Sequence, residues 1–214
     1  MVQPAPRSLT GIVQGNPGLK PMTSINYDLS AEYYNGRTGA YSVALFYKDL
    51  DKFLYRSSSS VIQDGTLGEF DDPSGVSVSK PMNGRKAEIH GVEINARQQL
   101  HWLPAPFDGL LVQANYTYTD ASGLIVDGDI ASVTDTPSFR EISLPASSEH
   151  TFNGVLGYEK GGLSLRLAGT YRDGYLDEIS GDGPEFDRFV ADHFQLDFSA
   201  RYQVTDMIQV YYEW

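Results

Sequence analysis

Phe194-Gln195-Leu196-Asp197-Phe198-Ser199-Ala200-Arg201-Tyr202-Gln203-Val204 alternates apolar and polar residues almost without error. After Thr205-Asp206-Met207 the pattern resumes, with Ile208, Val210, Tyr212 and Trp214 opposing Gln209, Tyr211 and Glu213. A period of two over about ten residues specifies a strand that is apolar on one side and wet on the other. Strands of soluble sheets usually run to about five or six residues. About ten residues, tilted by roughly 45°, reach across the apolar layer of a membrane.

Working back toward the start, the same alternation returns. Leu163, Leu165, Leu167, Gly169 and Tyr171 oppose Ser164, Arg166, Ala168, Thr170 and Arg172. Val112, Ala114, Tyr116 and Tyr118 oppose Gln113, Asn115, Thr117 and Thr119, and Tyr27, Leu29, Ala31 and Tyr33 oppose Asp28, Ser30, Glu32 and Tyr34. Noisier versions span 41–54, 85–99 and 150–159. The expectation is an all-β chain of about eight antiparallel strands with no amphipathic helix. Its polar face carries Glu32, Glu93, Arg97, Arg166, Arg172, Asp197, Arg201 and Glu213. A dry sandwich core could not hold so many charges unpaired, whereas a water-filled lumen hydrates them.

Composition narrows the function classes. There is no cysteine, so neither a disulfide framework nor a thiolate metal site is possible. The 16 Lys and Arg among 28 Asp and Glu give a net charge of -12, which weighs against nonspecific phosphate-backbone binding and predicts no nucleic-acid partner. No apolar run is long enough for a spanning helix, and the first twenty residues carry neither the charged start nor the apolar core of a signal peptide. Barrel strands, being only half apolar, escape hydropathy altogether.

Connections alternate in length. Short ones fall at 35–39, 103–108, 160–162 and 205–207; long ones, rich in Gly, Ser, Pro and acids, fall at 57–83, 122–147 and 176–190. Short turns on one rim and long loops on the other are the habit of outer-membrane barrels, with the short side periplasmic. Because a short turn comes first, the chain is expected to begin and end on the outer side, as an internal piece of a larger barrel. Tyr33, Tyr34, Trp102, Tyr158 and Tyr202 flank the short turns, while Tyr47, Tyr118, Tyr171 and Tyr175 lie near the long loops. These positions predict two interfacial aromatic bands.

Gly15-Asn16-Pro17-Gly18-Leu19-Lys20-Pro21, Ser24 to Ser30, Ser42 to Leu50, Gly91-Val92-Glu93-Ile94, Leu103 to Gly109, Val112 to Tyr118 and Tyr158 to Gly162 form an ordered series, completed by Gln195-Leu196-Asp197 and Val204-Thr205-Asp206. The series resembles the barrel of TonB-dependent outer-membrane receptors and covers nearly all the chain outside the long loops. The resemblance implies an antiparallel transmembrane wall of about eight strands from a 22-stranded barrel, with residues 1–214 as its C-terminal part. The plug domain and closing strand would lie outside these residues, and the TonB complex would engage an N-terminal region also outside them. It implies residence in the bacterial outer membrane in contact with lipid. The implied activity is active import of a small nutrient, an oligosaccharide or an iron chelate, with no enzymatic chemistry and no cofactor. Two other readings stay open: a passive porin-like barrel and a soluble carbohydrate-binding β protein.

Candidate ligand-binding residues are of two kinds. Phe139, Tyr175, Phe186 and Phe189, like Phe70, sit among polar loop residues, where aromatic faces either staple the loops together or pack on sugars and aryl chelators. Arg166, Arg172 and Arg201 on the polar face either attract an anionic ligand or pair with Asp197 or Glu213. The acidic stretch of Asp177, Glu178, Asp182, Glu185, Asp187 and Asp192 is either a solvated run or a surface site for a cation or sugar hydroxyls. Asp127-Gly128-Asp129 resembles the start of a calcium loop without its later ligands. His90, His101, His150 and His193 lack metal-ligand spacing, and no nucleophile elbow or phosphate-cradling loop accompanies the acids.

Overall fold

The computed structural model describes residues 12–61, 76–127 and 138–214. Strands follow in the order β1 (Ile12–Val13), β2 (Thr23–Asn35), β3 (Gly39–Asp51), β4 (Leu54–Val61), β5 (Val76–Asn83), β6 (Lys86–Gln99), β7 (Leu110–Asp127), β8 (Ser138–Ser143), β9 (His150–Lys160), β10 (Leu163–Arg172), β11 (Tyr175–Ser180), β12 (Arg188–Val190), β13 (His193–Thr205) and β14 (Ile208–Glu213). Eight of them form one antiparallel wall, β2-β3-β6-β7-β9-β10-β13-β14, in sequence order, and β8 pairs with the far end of β7. Among the described residues no helix is long and apolar enough to cross a membrane.

Register turns the sequence alternation into two continuous faces. Leu29, Leu45, Val92 and Tyr118 stand opposite one another across four strands. Leu156, Leu167 and Phe198 form a comparable row across three. Among the described residues nothing covers this face: Leu29 is 69% exposed, Leu45 51% and Phe194 66%. Such a contiguous apolar surface is far beyond what a water-soluble monomer tolerates. The opposite face carries the charges, amides and hydroxyls.

The four short connections lie together at one rim. Gly161 and Gly162 take φ values of 59° and 81°, which lets a two-residue hairpin turn follow the twist of β9 and β10. Lys160 Nζ reaches Asp108 Oδ1 at 2.5 Å, tying the 100–109 connection to that hairpin. The connection between β2 and β3 is fastened by Gln98, whose side chain is buried on β6. Its amide donates to the carbonyls of Thr38 (3.3 Å) and Gln99 (2.8 Å) and accepts from the Tyr41 hydroxyl at 2.6 Å.

At the other rim, the long connections were expected as loops but fold into further strands. β4 and β5 make a hairpin, β11 and β12 make another, and β11 joins β4 in parallel through Ile179↔Ser57 and Ser180↔Ser58. The serine-rich and acidic composition hid these strands, because their pairing rests on backbone hydrogen bonds and on one apolar cluster. That cluster is Phe53, Tyr55, Ala87, Ile125, Ile142, Leu176 and Ile179, with Leu50, Met82 and Leu144 against it. Ala87 and Leu50 are paired on the polar face of the wall, so the loop module sits on that face at the rim. There the polar face turns apolar, which explains why the alternation is noisy in 41–54 and 85–99. The chain preceding β2 is strapped to β5, with the Asn83 amide donating to the carbonyls of Lys20 (3.0 Å) and Lys52 (2.8 Å).

Candidate functional site

The middle of the polar face is organised around one row. Strand register places Glu32, Ser42, Asn95, Asn115, Asn153, Thr170 and Gln195 side by side across seven strands. Side chains of this row bond to one another in a single direction. Thr170 Oγ1 donates to Asn153 Oδ1 (3.1 Å), Asn153 Nδ2 to Asn115 Oδ1 (3.5 Å), Asn115 Nδ2 to Asn95 Oδ1 (2.5 Å) and Asn95 Nδ2 to Ser42 Oγ (3.1 Å). Aligned donors polarise one another, leaving the donor end of the chain at Ser42. Glu32 stands opposite Ser42 on β2, and its carboxylate accepts from the Tyr34 hydroxyl. A cavity of about 260 Å³ lies over this end, lined in part by Glu32, Tyr34, Ser42, Asn95, Arg97 and Asn115.

The three arginines proposed from sequence differ in their surroundings. Arg201 Nη2 lies 3.5 Å from Glu213 Oε1, the pairing expected for it. Among the described residues Arg172 takes no carboxylate; its guanidinium donates to Ser148 Oγ (2.7 Å) and the Ala146 carbonyl (3.0 Å) and lies 4.2 Å over the ring of Tyr175. Its role in this structure is to brace the rim, because the connection before β9 passes within its reach. Arg166 is exposed beside Asp197 and Glu213 in a shallow depression near the edge of the sheet. Arg97, on the same face, lines the cavity over the amide row.

Of the loop aromatics, Phe139, Phe186 and Phe189 are exposed, and Tyr175 is half-buried beneath Arg172. The Arg85 guanidinium lies 4.6 Å from the Phe139 ring centre. Phe70 falls outside the described residues, as do Gly128 and Asp129 of the calcium-like sequence. The residues that staple the loops are Phe53, Tyr55, Leu176 and Ile179, which sequence reasoning passed over. No period of two marked them: Phe53-Leu54-Tyr55 is apolar throughout, and Leu176 and Ile179 stand three apart across a bulge.

Three of the six acids in the acidic stretch pair with arginines. Arg140 grips Asp187 through two bonds of 2.6 and 2.9 Å, and Asp187 also accepts from the Ser180 amide at 2.8 Å. Arg188 spans Asp177 and Glu178 at 2.7 Å each, and Glu178 also accepts from the Ser58 hydroxyl. These pairings hold the guanidinium of Arg188 even more firmly protonated than usual, chiefly through its bond to Asp177. Among the described residues no group of three or more His, Asp or Glu is arranged to hold a metal ion. In this stretch Asp177, Glu178 and Asp187 are engaged by arginines. Tyr34, expected in an interfacial aromatic band, lies instead on the polar face with its hydroxyl on Glu32, since it shares the pleat side of that residue.

An antiparallel sheet apolar on one face, polar on the other, and short-turned at one rim is a segment of β-barrel wall. Residues 3–213 match the family described as TonB dependent receptor-like, beta-barrel, and the chain belongs to that family. Among curated protein sequences none is significantly similar. Solved structures share the fold: a mutant ferric enterobactin receptor, PfeA, from Pseudomonas aeruginosa superposes with a TM-score of 0.51 at 20% identity, over 91% of this chain and 25% of its own. The copper transporter OprC gives 0.56 at 18% identity, over 90% and 26%. The FrpB iron transporter from Neisseria meningitidis gives 0.51 at 16% identity, over 90% and 25%. The chain thus spans about a quarter of the length of these structures.

Proposed function

We propose that this chain forms part of the wall and outer rim of an outer-membrane receptor that imports a small nutrient by TonB-coupled transport. The observation that carries the reading is the two-faced wall: uncovered apolar rows such as Leu29, Leu45 and Val92 back a face lined with hydrogen-bonding groups. In a bilayer the first face meets lipid and the second lines a wet lumen. On this reading the short connections are periplasmic and the β4-β5-β11-β12 module faces outside. TonB would act through a region of the receptor outside these residues. The nutrient is an oligosaccharide or an iron chelate, met at the outer rim by Phe139, Tyr175, Phe186 and Phe189 and along the lumen by Arg166, Arg172 and Arg201.

Fractionation and uptake test this directly. The receptor carrying this chain should be recovered in the outer membrane and support uptake that stops when TonB is deleted or the proton gradient is collapsed. Uptake that persists under both treatments would identify a passive porin. Recovery as a detergent-free monomer would identify a soluble β protein, a reading against which the apolar rows already weigh.

A further inference from the structure

Asn95, Asn115 and Asn153 each spend one N–H and one oxygen lone pair on the row itself. An amide carries two donors and two acceptor sites, so each rung keeps one donor and one acceptor for a visitor. Ser42 closes the row at one end and Thr170 at the other, and the side chains are half-buried or exposed. The rungs recur at the spacing between paired strands, roughly 4.8 Å. Their mutual bonds hold the amide planes in place before any ligand arrives, which lowers the ordering cost of binding.

Resting on the receptor reading above, we propose that this amide row is a binding track for a neutral, linear, polyhydroxylated ligand of the oligosaccharide class. Each sugar hydroxyl both donates and accepts, matching the spare pair on each asparagine. One pyranose unit advances a linear glycan by about the step between neighbouring rungs. An extended peptide fits less well, because the groups along one of its edges recur every second residue, at roughly 6.6 Å. An anionic chelate is also poorly served, since the cavity over the row sets the Glu32 carboxylate against the Arg97 guanidinium and offers no excess of positive charge. Tyr34 and Arg97 bound the cavity on the side of the short turns. Hydroxyl recognition by uncharged amides gives many weak bonds, each releasable, as a translocation path requires.

The test uses the complete receptor in the outer membrane and purified in detergent. Probes are neutral linear hexasaccharides of α-glucan, β-glucan and xylan, with a ferric catecholate as comparison. At least one hexasaccharide should bind and be imported in a TonB-dependent manner, with affinity rising from the disaccharide to about four units and then levelling. Asn115→Ala and Asn153→Ala should each lower that affinity about tenfold, through the loss of two hydrogen bonds. Membrane levels should stay at those of the parent, and Ser164→Ala, on the same face but off the row, should leave glycan affinity unchanged. TonB-dependent import of the catecholate with no glycan bound would overturn the track while leaving the receptor reading in place. Equal losses for glycan and catecholate, or a leaky outer membrane, would also overturn it and assign the row to seating a protein segment. No TonB-dependent uptake of any probe would overturn both.

Discussion

The ring of Phe53 lies against Gly123, with its Cζ only 2.8 Å from where a Cβ on that glycine would stand. Gly84 meets the same Cε1 and Cζ atoms of the ring, so two glycines make the room that seats the centre of the loop module. Phe53 is buried within the single apolar cluster formed by the described residues. Phe53→Ala should therefore loosen the module by about 3 to 5 kcal/mol, the usual cost of deleting a buried aromatic ring. Gly123→Ala should cost about 1 to 3 kcal/mol through overpacking. Hydrogen exchange on the assembled receptor reads both: protection should fall in β4, β5 and β11 and hold in β9, β10 and β13.

Asp187 is 5% exposed and Arg140 15% at their side chains. Asp187→Ala takes the carboxylate from the Ser180 amide and removes one partner of Arg140, and should cost about 1 to 3 kcal/mol. Protease cleavage between β11 and β12 should accelerate. Asp187→Leu combined with Arg140→Met should recover part of the loss, because both halves of the pair are then removed.

On the apolar face, Phe198→Arg should impair assembly, since a charge near the bilayer midplane costs roughly 2 to 4 kcal/mol, and Leu165→Arg, level with Tyr158 nearer the short turns, should impair it less. Ser199→Arg and Ser164→Arg, one residue along on the hydrated face, should assemble at close to parental yield. Heat-modifiable migration of the receptor on gels gives the comparison, and equal yields for the two classes would reverse the assignment of faces.

Acid should release the 100–109 connection. The hydrogen bond from Lys160 holds the Asp108 carboxyl below its ordinary value. Unfolded, that carboxyl takes up its proton at higher pH than it does folded, so the contribution is complete above the ordinary carboxylate value, near 4. It is lost as pH falls through the lower folded value. Exchange protection of residues 100–109 should decline as pH is taken from 5 downward, and Asp108→Asn should start lower and stay flat.

Gln98→Leu removes the buried amide while keeping its bulk. The Thr38 carbonyl and Tyr41 hydroxyl each lose a partner, and the cost should be about 1 to 3 kcal/mol. Faster exchange at residues 36–39, with β13 and β14 unchanged, would mark the effect as local.

The wall was legible because a period of two survives wherever one face is dry and the other wet. Leu163 to Arg172 pairs across its full length on both sides in the phase its sequence implies. The rim was illegible for a related reason: Leu50, between Asp49 and Asp51, and Ala87, between Lys86 and Glu88, put apolar side chains on the polar face, so the phase inverts, and around Ile125 both faces are apolar. The amide row was hidden differently. Asn95, Asn115 and Asn153 lie on three strands, and only the register makes them neighbours. Among the binding candidates, charge and aromaticity singled out Arg201 and Tyr175, while uncharged asparagines on separate strands gave no local pattern to notice.

The parallel join between β4 and β11 has a bearing on how the receptor is built. The Ser58 hydroxyl and the Glu178 carboxylate that meet there are 120 positions apart in the chain. Every wall strand from β6 to β10 lies between them, so the join cannot close until that stretch has been laid down. Contacts of such long span form late, because the intervening loop must be ordered before they reward it. The outer module is thus a progress mark: its protease resistance dates the moment when the wall through β10 has been laid down, and assembly stalled at any strand in between would leave β4 and β5 open to cleavage.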